Sequence, residues 1–118
     1  MANVLLLDEA REDLRDLDNA VQKLVLKALV KLEANPEQRG EPLGARAGGN
    51  LTGLRKLVVG DRAYRIIFEV RADGSVVVVW IIGKRANDEV YDLARARVET
   101  YTADPQKRAA LQTLLNIV

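Results

Sequence analysis

The sequence contains no cysteine and no histidine. Without thiols, disulfides, thiolate nucleophiles and zinc–sulfur sites are excluded. Without imidazole, so are Ser-His-Asp and Cys-His catalysis, and a transition-metal site loses its commonest ligand. Acid–base chemistry falls to Asp, Glu, Lys, Arg or Tyr. Aromatics are scarce, with one Trp, three Tyr and one Phe, so the core must be built from Leu, Val, Ile and Ala. Long apolar runs are missing too. The longest, over residues 76–83, falls far short of the ~20 residues a membrane-spanning helix needs. The opening residues are too acidic, and their apolar run too short, for a signal peptide. The chain is expected to be soluble and cytoplasmic, with no membrane partner.

What is present is 118 residues, 48% of them apolar, enough for one domain with a modest core. The net charge of +1 conceals an uneven spread. Residues 1–35 carry five basic and seven acidic side chains, residues 36–85 nine basic and five acidic, and residues 86–118 four and five. Positive charge is therefore concentrated in the middle segment, where local potential matters more to a polyanion than the total.

Residues 3–7 form a short apolar run with the character of an edge strand. Asp8 reads as a helix cap with acidic residues in the first turns after it. Leu14, Leu17, Val21, Leu24, Val25, Ala28, Leu29 and Leu32 recur at steps of three and four, an apolar helical stripe. Asp18-Asn19 divides that stripe into a short helix and a longer one, and Asn35-Pro36 ends the second. Residues 36–53, rich in Gly, Pro, Ala and Arg, read as a long connection. Three strands follow, over residues 54–59, 63–71 and 76–82. In the second, Tyr64, Ile66, Phe68 and Val70 alternate with Arg65, Ile67, Glu69 and Arg71, the pattern of a half-buried strand. Asp73-Gly74 is a hairpin signal, and the β-branched run after it fits a strand buried on both faces. Residues 88–100 look helical. Asp104-Pro105 opens a last helix carrying Leu111, Leu114, Leu115 and Val118. The fold class is α+β: an N-terminal helical hairpin on an antiparallel sheet, with C-terminal helices on the same face.

Three basic clusters fall at strand ends or turns: Arg55-Lys56, Arg62 with Arg65, and Lys84-Arg85. A meander brings the turn at residues 60–62 beside the end of the third strand. Arg62, Arg65, Lys84 and Arg85 are thereby candidates for one surface, joined by Lys56 if its side chain leaves the open face of the sheet. Solvated charges that protect strand edges explain the same pattern, so charge alone does not separate a polyanion site from a guarded edge. Tyr91, six residues after Arg85, stands in a first helical turn, either pointing back at the arginines or sitting at the core rim. The carboxylate pairs all fall at helix starts, where the dipole accounts for them. No metal site or cofactor is expected, and Ala47-Gly48-Gly49-Asn50 lacks the lysine of a phosphate loop.

Several segments, in order, resemble the RelE/ParE toxin superfamily and in particular its RelE branch. They are Leu29 to Pro36; Leu51 to Leu57 with Val59-Gly60-Asp61; Tyr64-Arg65-Ile66-Ile67-Phe68-Glu69-Val70; and Val76–Ile82 leading into Gly83-Lys84-Arg85 and Glu89-Val90-Tyr91. The likeness covers roughly residues 3–95, which makes 1–95 a toxin domain and leaves 96–118 as a helical extension packed on or flanking it. The resemblance implies a type II toxin whose cognate antitoxin covers its active surface, and which touches operator DNA only through the antitoxin complex. It implies cleavage of mRNA in the ribosomal A site without a metal, by attack of the RNA's own 2′-hydroxyl on the adjacent phosphate. By position, Arg65 is expected to hold the scissile phosphate. Arg85 is expected to stabilise the phosphorane, a role worth about 3 kcal/mol for one donor. Tyr91 is expected to stack on a base or help activate the hydroxyl, and Lys56 to supply first-strand charge. Arg55, Arg62 and Lys84 are expected to bind RNA. Two features depart from the pattern: Val58 stands where a second basic residue is frequent, and the turn at residues 60–63 is longer. The alternatives are a ParE-like inhibitor of DNA gyrase, or a degenerate toxin that retains only antitoxin binding.

Overall fold

The computed structural model describes residues 2–42, 54–60, 63–71, 76–84 and 89–115. Strand β1 (Asn3–Leu6) leads into helices α1 (Asp8–Arg15) and α2 (Asn19–Lys31). A 3-10 turn at Pro36–Gln38 and a two-residue strand β2 (Glu41–Pro42) follow. The chain continues through β3 (Leu54–Val59), β4 (Tyr64–Arg71), β5 (Val76–Lys84), α3 (Glu89–Ala103) and α4 (Pro105–Leu115).

Local chemistry explains most boundaries. Asp18 caps α2, its carboxylate accepting from the Val21 amide at 2.9 Å, which satisfies one of the amides a helix start leaves without a partner. Asp104 does the same for α4, accepting from Gln106 and Lys107. Asp8, expected as a cap, is instead the first residue of α1; Leu7 holds the cap position without a side-chain bond. Helix α2 stops at Lys31, ahead of Asn35-Pro36. Asn35 then turns the chain in the left-handed region at φ 52°, which asparagine tolerates better than most residues.

The sheet runs β1-β5-β4-β3-β2. The meander of β3, β4 and β5 is antiparallel as expected, but β1 joins β5 in parallel, Asn3 opposite Val76 and Leu6 opposite Val79. The sheet is therefore mixed rather than antiparallel throughout. Residues 41–42, assigned to a connection, add a short edge against Lys56 and Arg55.

The expectation that the helices share one face is overturned. Leu24 of α2 lies beside Gly60 and Tyr64, whereas Val90 of α3 lies against Gly83, which pairs with Arg65. Tyr64 and Arg65 are neighbours on β4 and so point to opposite faces. Helix α2 thus covers one face and α3 the other. Strand β4 is accordingly buried on both faces at its centre, where Ile66, Ile67 and Phe68 are all fully buried, and only half-buried towards its ends. So is the β5 run from Val77 to Ile82, apart from a few per cent at Trp80 and Ile82. Each such aliphatic side chain contributes about 1.5–3 kcal/mol of burial.

Trp80 interrupts the regular pairing. Ile67 faces Ile81 but Phe68 faces Val79, so Trp80 is the extra residue of a β-bulge. Its indole turns to the α3 face, donating to Glu69 at 3.2 Å and meeting Tyr101 edge-on at 5.5 Å.

Candidate phosphate-binding site on the α3 face

The site is assembled from the meander upward. Arg65 on β4 is flanked by Val58 on β3 and Gly83 on β5. Gly83 matters because it has no side chain. A β-carbon there would lie 3.3 Å from Val90 Cγ2, so the bare backbone lets the first turn of α3 settle against the sheet. Seated there, α3 presents the hydroxyl of Tyr91 to the guanidinium of Arg65, which donates to it. The guanidinium carbon is 5.4 Å from the ring centre. Both side chains are half-buried. The Arg65 Nε is buried and has no partner among the described residues, an exception to the rule that buried polar atoms are paired.

Lys56 shares this face. It pairs with Ile67, two residues from Arg65 on β4, and its ammonium lies 3.7 Å from the carboxylate of Glu41 on β2. Lys56 is largely enclosed and Glu41 is exposed, so the acid masks the lysine from the solvent side. Val58, directly beside Arg65, is exposed, leaving an uncharged gap between the two cations. This face of the sheet thus combines a guanidinium, a phenol hydroxyl and an ammonium, all suited to a phosphate diester.

The other expected residues are placed differently. Lys84 pairs with Tyr64 and is exposed, so it projects to the face opposite Arg65. Arg55 also belongs to that opposite face. It donates to the carbonyls of Arg39 and Gly40 at 2.9 and 3.2 Å, tying β3 to the turn before β2. Arg62 and Arg85 lie outside the described residues. Two contributors went unnoticed in the sequence: Gly83 as the seat for α3, and Glu41 as counter-ion to Lys56. The first had a signal in the Gly-Lys-Arg triplet; the second had none, since Glu41 sits in a stretch without periodicity.

The family model of the ParE toxin of type II toxin–antitoxin systems, parDE, matches residues 4–89, most of the chain. The chain belongs to the RelE/ParE toxin superfamily. Its membership makes it the toxin of a type II toxin–antitoxin system. Solved structures of RelE/ParE-superfamily toxins share its fold. An E. coli RelE toxin mutant in the free state is 25% identical at a TM-score of 0.62, covering 83% of this chain and 99% of that one. The Mycobacterium tuberculosis RelBE2 toxin–antitoxin complex is 24% identical at 0.60, covering 71% and 98%. The intact E. coli RelBE complex is 20% identical at 0.56, covering 74% and 100%. No curated protein matches the sequence. The superfamily match stops short of Tyr91 and of α4. Among the described residues no helix is long and apolar enough to cross a membrane, and no cluster of acidic side chains suits a metal.

Proposed function

We propose that this toxin is a ribosome-dependent mRNA endonuclease. The observation that carries the reading is the meeting of Arg65 and Tyr91 from separate elements, beside an enclosed Lys56. RNA supplies its own nucleophile. The 2′-hydroxyl attacks the adjacent phosphorus, the bond to the next nucleotide's 5′-oxygen breaks, and a 2′,3′-cyclic phosphate remains. The 2′ proton must be taken up and one returned to the 5′-oxygen. The protein therefore needs to hold a phosphate, offset the charge growing on it and move protons, and neither a metal nor an imidazole is required. Arg65 holds a non-bridging oxygen through its guanidinium, whose partner in the structure is the Tyr91 hydroxyl. Arg85 adds charge to the phosphorane. Tyr91 stacks on a base or assists the hydroxyl, and Lys56 supplies positive potential. Arg62 binds flanking RNA, whereas Lys84 and Arg55 face the other side of the sheet and are left outside this site. The cognate antitoxin covers this surface, in keeping with the M. tuberculosis and E. coli toxin–antitoxin complexes that share the fold. Operator DNA is reached only through that complex. Ribosomes as substrate carriers place the work in the cytoplasm.

A second reading, inhibition of DNA gyrase, is favoured by the ParE description of the matching family. Expression of the chain alone, followed by mapping of transcript ends and a gyrase supercoiling assay, separates the two. Growth arrest with cut transcripts, relieved by Arg65→Ala, Arg85→Ala or Tyr91→Phe, supports the nuclease. Arrest with intact transcripts and blocked supercoiling supports gyrase. Harmless expression leaves a degenerate toxin that binds only its antitoxin.

A further inference from the structure

Helix α4 lies beyond the segment that matches the superfamily, and its packing creates a feature the toxin sheet alone does not. Between α4, the end of α3 and the sheet lies a groove of about 240 Å³. Its floor is apolar, formed by Leu54, Trp80 and Leu111. Its polar wall is Glu69, Arg71 and Arg108. The Glu69 carboxylate is already engaged, with one oxygen accepting from Trp80 at 3.2 Å and from Arg71 at 3.1 Å. Arg108 is exposed and has no partner among the described residues. The groove therefore offers uncompensated positive charge at the rim of an apolar floor. Glu69 stands four residues from Arg65 on the same face of β4, roughly 13 Å away at ordinary strand rise. An occupant of the groove need not touch the phosphate site.

We propose that this groove docks an extended acidic segment of the antitoxin, seating one bulky apolar side chain on the Trp80–Leu111 floor. Carboxylates flanking that side chain meet Arg108 and Arg71. The volume suits a side chain of leucine or phenylalanine size rather than a helix, and the charge balance selects acidic neighbours over basic ones. The identity of the partner rests on the toxin–antitoxin reading above; the chemistry of the groove does not.

The test selects random displayed dodecamer peptides on the full chain and measures the enriched ones by fluorescence anisotropy. The expected motif is an apolar residue between two or more acidic ones. Arg108→Glu, at an exposed position, is expected to weaken binding at least tenfold. Thr102→Trp, which fills the groove from an exposed lining position, is expected to abolish it, while Arg65→Ala leaves it within twofold. Peptides without acidic residues overturn the proposal. So does binding that ignores Arg108 and Thr102 but falls with Arg65→Ala. A chain that binds the acidic peptides yet never arrests growth removes the toxin as the setting and leaves the groove. One that arrests growth while its peptides ignore Arg108 does the reverse.

Discussion

Arg65 and Tyr91 are brought together by an atom that is missing. Gly83 contributes only backbone between them, and its bare α-carbon is where α3 closes on the sheet. Gly83→Val is therefore expected to push the first turn of α3 outward, since even a β-carbon at 3.3 Å from Val90 is tight. Cleavage should fall on the order of tenfold to a hundredfold, the scale at which a small misplacement of a reacting group costs rate. The loss of stability should be only about 1–3 kcal/mol, typical of overpacking. Transcript cleavage assayed beside urea unfolding checks this; equal loss of both would mean that Gly83 serves stability alone. Arg65 and Tyr91 were visible in the sequence because each has a local sign. One alternates against an apolar strand face, and the other follows a basic strand end at the start of a helix. Arg55 carried the same sign as Lys56, although the two point to opposite faces. Neighbours on a strand face opposite ways, and only the register against β4 shows that Lys56 shares the face of Arg65 while Arg55 turns to the carbonyls of Arg39 and Gly40.

At the scale of elements, the edge of β5 carries a device no periodicity discloses. Strand β1 pairs with β5 only as far as Val79, which leaves the β5 backbone beyond it without a neighbour strand on that side among the described residues. Asp13 of α1 accepts from the Ile82 amide at 3.1 Å, and Arg97 of α3 donates to the Trp80 carbonyl at 2.9 Å. The two side chains close on each other at 2.8 Å. An ion pair thus continues the ladder where the strand stops, and both partners are mostly enclosed. Asp13→Ala removes the acceptor, strands the Ile82 amide and leaves Arg97 without its counter-charge. The expected cost is about 2–3 kcal/mol, as for an unsatisfied charged hydrogen bond, read as a lower urea midpoint with unchanged slope. A midpoint within experimental error of the parent would show that water replaces Asp13 freely. The partners are 84 residues apart, beyond the reach of any spacing rule. The elements themselves were largely legible, since capping at Asp18 and Asp104 and the β-branched run of β5 are local signals. The same run also implied cover on both faces, which is incompatible with helices on one; α3 resolves the conflict by crossing to the second face. Parallel pairing of β1 had no local sign, because four apolar residues suit either direction.

Over the whole molecule, the two chain ends are joined through Glu9. Its carboxylate accepts from the Tyr101 hydroxyl of α3 at 2.6 Å and from the Lys107 ammonium of α4 at 3.1 Å, so one acid on α1 fastens both C-terminal helices. Burial raises the Glu9 pKa, but the bond from Tyr101, one from the backbone, and the bond and charge of Lys107 outweigh it and hold the carboxyl below its ordinary 4.5. Burial and the bond to Glu9 push the Tyr101 hydroxyl upward. A carboxyl lowered in the folded state stabilises that state above its unfolded pKa, and the contribution disappears as pH falls through the lowered value. A hydroxyl raised in the folded state stabilises it below its ordinary pKa of 10.0, and that contribution disappears as pH rises. The thermal midpoint of the parent chain should therefore drop between pH 5 and pH 3 by more than that of Glu9→Gln, which keeps a hydrogen-bond acceptor but has no proton to gain. Tyr101→Phe should be less stable at neutral pH and lose the alkaline decline above pH 10. Release of α4 at low pH should also open the groove it walls, so acidic peptides selected at pH 7 should bind more weakly at pH 4 to the parent than to Glu9→Gln, after correction for protonation of the peptides themselves. Parallel midpoint curves for parent and Glu9→Gln would mean that α4 is held by its apolar contacts and that the Glu9 junction adds nothing to the fold.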